Sequence, residues 1–255
     1  MPATLSVVLI TRNAAHLLPD TLGAVSWADE ILVVDSGSTD GTREVAQALG
    51  AKVILQSDWK GYGHQKSFAV QQASGDWVLV LDADEVVDAE LGQEIQRALE
   101  SKDGIPAGYR MKRVNYFCGE RVRFGHSRPS YVDRLFRRGK GRVTNHLVHE
   151  RILVEGPVAR LRGEIRHYTS ESISHRIRKN DDYATIVAEE WFREGKRVGL
   201  LHLLLIVPLS VLRDLVLKAG ILEGKKGVIL AFLGALYSFS KYAKLIELAK
   251  REREQ

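Results

Sequence analysis

The chain has 255 residues, 45% of them hydrophobic and 27% charged, and a single cysteine, Cys118. That length fits one large α/β domain or a domain with an appendage, the composition is that of a folded protein, and one cysteine excludes an intrachain disulfide and fits a reducing compartment. The net charge of +5 hides a segregation: residues 1–103 hold 7 Lys and Arg against 16 Asp and Glu, whereas residues 104–180 hold 18 against 6. The basic middle points to an anionic partner, such as a phosphorylated substrate, lipid headgroups or nucleic acid.

The first 20 residues lack a basic start before an apolar run, so they do not read as a signal peptide. LSVVLIT at 5–11 reads as a buried strand ended by Arg12-Asn13, followed by a short amphipathic helix over 16–24. EILVVD at 30–35 is a second buried strand. It runs into a loop dense in small and hydroxylated residues at 36–42, and a helix follows over 43–49 with Asp40 as its N-cap candidate. A third strand is expected over 52–55 and a third helix over 62–73, carrying Lys66 in its first half. After a turn at 74–76, the apolar run Trp77 to Leu81 is too short for a helix and reads as a strand buried on both faces.

That strand ends in three acids within four residues, Asp82, Asp84 and Glu85. Unpaired buried carboxylates are costly, so a buried strand that delivers them has a use for them, and ligands of open α/β sheets bind at the carboxyl ends of strands. Asp82 and Asp84 flank one residue and can both approach a hard cation; such oxygen ligands suit Mg²⁺ or Mn²⁺ holding a diphosphate. The plainer reading is that the acids open a helix expected over 88–101, where the helix dipole favours them. Alternating strands and helices imply a parallel sheet with right-handed crossovers, which would gather Asn13, Asp35, Asp40, Asp82 and Asp84 at one edge. No G-x-G-x-x-G follows the first strand, which disfavours a dinucleotide-binding oxidoreductase.

Three stretches in order, SVVLITRN at 6–13, VVDSGSTDGT at 33–42 and GDWVLVLDADE at 75–85, resemble the family 2 glycosyltransferases, whose nucleotide-sugar-binding fold is called GT-A. The resemblance implies an α/β fold with a mostly parallel central sheet flanked by helices. It also implies that Thr11, Asn13, Asp35, Asp40, Lys66 and Asp82 surround a nucleotide sugar and that Asp84, with Asp82, serves a divalent cation. Carboxylates suit that role, since they accept hydrogen bonds from ribose hydroxyls and the uracil N–H.

The second half is less regular, with strand-like stretches at 108–117, 120–123, 131–136 and 163–168. RLFRR at 134–138, VHE at 148–150, His167-Tyr168 and KYAK at 241–244 resemble a narrower branch, the bacterial lipopolysaccharide-core glucosyltransferases that act on heptose. That branch implies UDP-glucose as donor, an anionic glycolipid acceptor, and work at the cytoplasmic face of the inner membrane. Inverting transfer needs a base for the acceptor hydroxyl. Glu150 is the expected base and Asp133 the alternative, against a plain surface ion pair of Glu150 with Arg151 or Arg137. His167 reads equally as a metal or diphosphate contact and as a core histidine; His149 reads as a core histidine. Arg134, Arg137 and Arg138 could grip acceptor phosphates in bidentate fashion, and Cys118 reads as a small packed residue.

The tail is expected to be helical over 172–194, then to hold two apolar runs, 198–212 and 228–239, around a turn at 223–227. Each run is shorter than the roughly 20 residues of a spanning helix, and both are too apolar all round for a surface helix. A monotopic hairpin on the membrane with lysines facing anionic lipid fits; packing on the domain or a dimer interface is the other reading. The chain is thus divided into a glycosyltransferase domain over 1–170 (nucleotide-sugar half 1–103, acceptor half 104–170) and a helical membrane-associating extension over 171–255. Transfer to a polyprenyl phosphate and a non-catalytic nucleotide-sugar or membrane-binding module are the rival functions. Nucleic acid is not an expected partner, since no nucleic-acid-binding motif is present.

Overall fold

A computed structural model describes residues 3–101, 104–144 and 150–253; Val148 and His149 lie outside the described residues. The elements in order are β1 (Leu5–Thr11), α1 (Leu18–Gly23), β2 (Glu30–Asp35), α2 (Thr42–Ala48), β3 (Lys52–Leu55), α3 (Tyr62–Gln72), β4 (Trp77–Asp82), β5 (Glu85–Val87), α4 (Ala89–Glu100), β6 (Gly108–Phe117), β7 (Glu120–Arg121), β8 (Ser130–Arg137), β9 (Gly141–Val143), β10 (Ile152–Val154), β11 (Val158–Ser170), α5 (Ile173–Arg193), α6 (Leu200–Leu212) and α7 (Lys225–Arg253). The chain divides into two compact units, one of Met1–Arg113 with Ser130–His167 and one of Val114–Pro129 with Tyr168–Gln255. The division falls within β6 and β11.

In the first unit the expected parallel pairing runs through β3, β2, β1 and β4. The apolar runs of β1 and β4 are buried throughout because both faces are covered. Leu5, Val7, Leu9, Leu79 and Leu81 join one core with α1 and α4, while Val8, Ile10, Val78 and Val80 join another with α3 and Phe136. Beyond β4 the sheet continues antiparallel, with β8 paired to β4 and β6 paired to β8, while β5 pairs with β11.

Three local expectations change. Between the acids of 82–85 and α4 there is a strand, β5, and the cap of α4 is Asp88, whose side chain accepts from Leu91 N at 2.8 Å; the acids therefore do not open that helix. The cap position of α2 is Gly41, with φ 82°, because Asp40 instead turns its carboxylate to Thr42 and to the Ala15 N–H. Cys118 is exposed, with φ 50°, in the turn between β6 and β7 rather than packed.

In the second unit α5 packs on α7, with Asn180 Nδ2 donating to Leu233 O at 3.0 Å and Lys244 Nζ 2.6 Å from Asp181 Oδ1. The apolar runs of the tail belong to longer helices than their composition implied. α6 continues as a π-helical stretch, Arg213–Leu217, so 18 residues are helical without a break, and α7 has 29 residues. By length and composition both could cross a membrane. The turn between them is fastened to the loop after β7: the Arg123 and Phe124 N–H groups donate to Glu223 Oε1, Gly125 N donates to Lys218 O at 2.9 Å, and Lys226 Nζ donates to Arg121 O at 2.7 Å.

The seating of β11 on α4 depends on a missing side chain. A Cβ on Gly163 would stand 2.4 Å from Leu91 N and 2.5 Å from Leu91 Cα, and the Arg162 and Gly163 N–H groups donate to Glu94 Oε2 at 2.7 and 3.0 Å. Backbone cannot yield as a flexible side chain can. Gly163→Ala is expected to destabilise the protein by about 1–3 kcal/mol, measured as a lower urea midpoint; an unchanged midpoint would contradict this account of the contact.

Candidate active site

The carboxyl ends of β1, β2 and β4 lie at one edge, with Thr11 in register with Asp35 and Ile10 with Asp82. The loop after β2 is built on Asp35. Its carboxylate is fully buried and accepts from Gly37 N at 3.1 Å, Ser38 N at 2.9 Å, Thr11 Oγ1 at 3.1 Å and Ser38 Oγ. Asp35 therefore shapes the loop from beneath. Asn13, in the left-handed region at φ 52°, accepts from Thr39 N at 2.9 Å. Asp40 is exposed at the loop tip. Burial works against its charge, but the Thr42 hydroxyl and the Ala15 and Thr42 N–H groups outweigh it and hold the carboxyl below its ordinary value.

Below this rim is a chain of alternating charges. Lys66 Nζ lies 2.5 Å from Asp82 Oδ1 and 2.5 Å from Glu150 Oε1, with its side chain only 4% exposed. Arg134 Nη2 lies 2.8 Å from Asp82 Oδ2 and 2.8 Å from Glu85 Oε1, and Arg113 Nη1 approaches the same Glu85 oxygen at 3.4 Å. Glu85, fully buried, also accepts the backbone N–H of Asp82 at 3.0 Å. The order Glu150, Lys66, Asp82, Arg134, Glu85, Arg113 thus alternates in sign.

Each member arrives for a local reason. Lys66 is aimed by its neighbour Gln65, whose Nε2 donates to Ser36 Oγ at 3.0 Å and Gln56 O at 2.8 Å and so ties α3 to the loop after β2. Arg134 falls at a register shift: Tyr109 pairs with Leu135 and Arg110 with Asp133, leaving Arg134 as the extra residue of a β-bulge. Bulges of this kind re-aim a side chain. Glu150 stands just before β10, where Val143 pairs with Ile152 and the Arg151 N–H donates to Thr144 Oγ1 at 2.8 Å.

Burial pushes Asp82 towards its neutral form, but Lys66 and then Arg134 outweigh it, and its pKa lies well below the ordinary carboxylate value. Burial likewise disfavours the Lys66 ammonium, yet Asp82 and Glu150 hold its pKa above the ordinary value despite repulsion from Arg134. Beside this chain, His167 is in register with Glu85 across the β11–β5 pairing, and its Nε2 lies 3.3 Å from Asp84 Oδ2.

Residues 6–154 match the model for glycosyl transferase family 2. The chain belongs to that family. It is 34% identical over 250 residues to the lipopolysaccharide core biosynthesis glycosyltransferase LpsC of Rhizobium meliloti (strain 1021), a match covering 95% of this chain and 92% of that protein. Among solved structures it is similar to the mannosyltransferase PcManGT of Pyrobaculum calidifontis, in complex with GDP-Man and Mn²⁺ (TM-score 0.53, 15% identity, 96% of this chain and 88% of the other). It is also similar to S. aureus TarS 1-349 in complex with UDP (TM-score 0.50, 14% identity, 98% and 92%). The fold is GT-A and the protein is a glycosyltransferase.

Of the residues the family resemblance singled out, the geometry brings Lys66, Asp82, Arg134 and Glu150 into one network and sets Asp84 against His167. Glu150 pairs with Lys66, not with Arg151 or Arg137. Asp133 is apart from this network, both its oxygens held by Arg110 at 2.7 and 2.8 Å. Arg137 is in register with Trp77 at the amino end of β4 and stacks over that ring, and Arg138 donates its N–H to Asp76 O. Both therefore lie at the opposite end of β4 from Asp82. Glu85, Arg113 and Gln65 were not singled out. The acid run carried the signal for Glu85, but neither Arg113 nor Gln65 lies in a distinctive motif.

A carboxylate with a depressed folded pKa stabilises the native state above its unfolded pKa, and the contribution fades as pH falls through the folded value. Asp82→Asn should therefore be less stable than the parent by a margin that is full above about pH 5 and narrows below about pH 4. Urea midpoints of the two proteins across that range check the sign; a margin that widens on acidification would contradict it.

Proposed function

We propose that this glycosyltransferase moves a hexose, glucose in the first instance, from a UDP-sugar to an inner-core lipopolysaccharide acceptor, with inversion and with the help of Mg²⁺ or Mn²⁺. The observation that carries the reading is the likeness to LpsC over 95% of the chain. The site chemistry supports it.

Asp84 Oδ2 and His167 Nε2, 3.3 Å apart, fit a pair of protein ligands for a divalent cation. Asp82, by contrast, has both oxygens committed to Lys66 and Arg134, so it acts behind the ligands. Among the described residues no three His, Cys, Asp or Glu side chains converge, which suits a cation whose remaining ligands are diphosphate oxygens and water. When bound, the cation neutralises charge on the departing nucleoside diphosphate. The loop built on Asp35, with Asn13 and Asp40 at its rim, receives the nucleoside.

Glu150 takes the acceptor proton. In the free enzyme its carboxylate is occupied by Lys66. A donor diphosphate arriving beside Asp82 competes for the same ammonium and loosens Glu150 for its task. Arg134, held through Nη2 between Asp82 and Glu85, positions the site; its side chain is only 9% exposed, which leaves little of it within reach of an acceptor phosphate.

On this reading the enzyme works at the cytoplasmic face of the inner membrane, with its second unit lying along the surface. Leu200, Leu201, Leu204, Leu209 and Leu217 are all exposed, an apolar surface suited to the acyl–headgroup boundary. The turn of this hairpin is bound to residues 121–124 and α7 packs against the charged helix α5, which supports lying along the membrane over crossing it.

Nucleotide release from UDP-glucose, with Mg²⁺ or Mn²⁺ and then excess EDTA, tests donor and metal together. Asp84→Ala is expected to lower turnover at least about 10²-fold with the fold retained. Glu150→Gln should lower transfer to a sugar hydroxyl by about 10²–10⁴-fold while leaving donor binding in place. A nearly intact rate in Glu150→Gln would point instead to an acceptor that is already ionised, such as a polyprenyl phosphate. Failure to bind any nucleotide sugar would overturn the reading.

A further inference from the structure

Charge interrupts the apolar surface of the second unit at the junction of α6 with the π-helical stretch. Asp214 is 1% exposed and sits behind that surface, its Oδ1 3.0 Å from Arg213 Nε and 3.3 Å from Lys218 Nζ. Its other oxygen is buried without a hydrogen-bond partner, close to the space a side chain on Gly234 would fill. The two cations face outward from this anchor. The Arg213 side chain is 43% exposed among Leu212, Val216 and Leu217, the last 78% exposed. Lys218 Nζ also donates to His126 Nδ1 at 3.0 Å, and the Lys218 carbonyl is fixed by Gly125 N at 2.9 Å.

Burial first, and then Lys218, hold the His126 imidazole below its ordinary pKa. It is therefore neutral at pH 7, and with Nδ1 accepting from Lys218 its other nitrogen carries a proton to donate. Arg176 adds a further positive charge within electrostatic range of His126. The Asp214 carboxylate thus pairs with two cations, with His126 beside them.

A guanidinium in such surroundings needs an anion that arrives together with hydrocarbon. We infer that Arg213 and Lys218, with His126 beside them, form a seat for the phosphate of an anionic phospholipid headgroup, while the surrounding leucines lie among the acyl chains. The chemistry is that of basic pockets at membrane surfaces, where each well-placed cation adds to the attraction of anionic lipid, and the long arginine stem suits a boundary that is apolar below and charged above. Asp214 bridges the two cations through one oxygen, so the seat is preformed. The inference rests on the membrane-surface reading above and adds to it a lipid specificity and its residues.

The test is flotation of the full chain with vesicles of phosphatidylcholine alone and with about one-third phosphatidylglycerol. The parent protein should bind the anionic vesicles roughly tenfold or more tightly. The double substitution Arg213→Gln/Asp214→Asn removes the guanidinium and its buried counter-charge together, leaving the net charge unchanged. It should lose most of the phosphatidylglycerol preference while still binding vesicles, with UDP-sugar turnover as the check that it folds. Lys218→Gln supplies a second variant with the same expected loss.

A preference untouched in both variants would overturn the seat. So would equal binding of the parent to both vesicle types, which leaves the membrane-surface reading standing. Absence of binding to either vesicle would overturn that reading along with the seat. Millimolar inorganic phosphate should leave the preference in place; its abolition by free phosphate would show a site for a soluble anion instead of a lipid.

Discussion

The position of Asp82 depends on two opposite cations reaching it from different parts of the chain. Lys66 comes from α3 and Arg134 from the bulge in β8, and each also holds a second carboxylate, Glu150 and Glu85. None of the four flanking groups could be buried alone, since an isolated ion in a protein interior costs several kcal/mol even after relaxation. The alternation makes the arrangement tolerable, and it makes the groups interdependent. Such a network is a poor way to gain stability, because well-packed apolar side chains of similar volume often do as well or better. Its value is positional. Glu85 accepts the Asp82 N–H and pairs across to the residue in register with it, His167. The same contacts that balance the charges therefore set the backbone on which Asp84 stands.

The same physics explains what could be read in advance. Strands β1, β2 and β4 were legible because burial leaves a continuous apolar run, while the edge strand β3 is only partly buried; the acids at the strand ends were legible because nothing apolar explains them. Asn13, Asp35, Asp40, Asp82 and Asp84 were therefore expected together at one edge. Which of those carboxylates face a ligand was not legible. Asp35 is enclosed by four donors from its own loop and from Thr11, a matter of side-chain direction that no spacing expresses. Arg134 was visible only as one of a basic group, RLFRR. The bulge that separates it from Asp133, and the register that takes Arg137 and Arg138 to the far end of β4, arise from pairing between strands distant in the chain. The alternative reading of Glu85 as part of a helix opening fails because Glu85 begins β5, a strand of three residues, too short to leave a periodic signal.

The tail shows the opposite case, where composition was plain and length misled. Counting apolar residues ended the first run at Leu212, yet the helix carries on through Arg213 and Asp214 in π-helical form, so charge did not mark its end. Helical length by itself would now allow α6 and α7 to span a bilayer. Length and composition are not the whole description of these helices, since the turn and α7 also have polar partners. Glu223 and Lys226, at the turn and the start of α7, are bonded to backbone groups of residues 121–124, while Asn180 and Asp181 of α5 hold the middle and the later part of α7. A spanning hairpin would surround its helices with lipid and set its turn free on the far side, leaving these groups to be satisfied elsewhere. The polar partners thus fasten α7 and the turn, while the exposed leucines, and Arg213 among them, lie on α6 and its π-helical continuation.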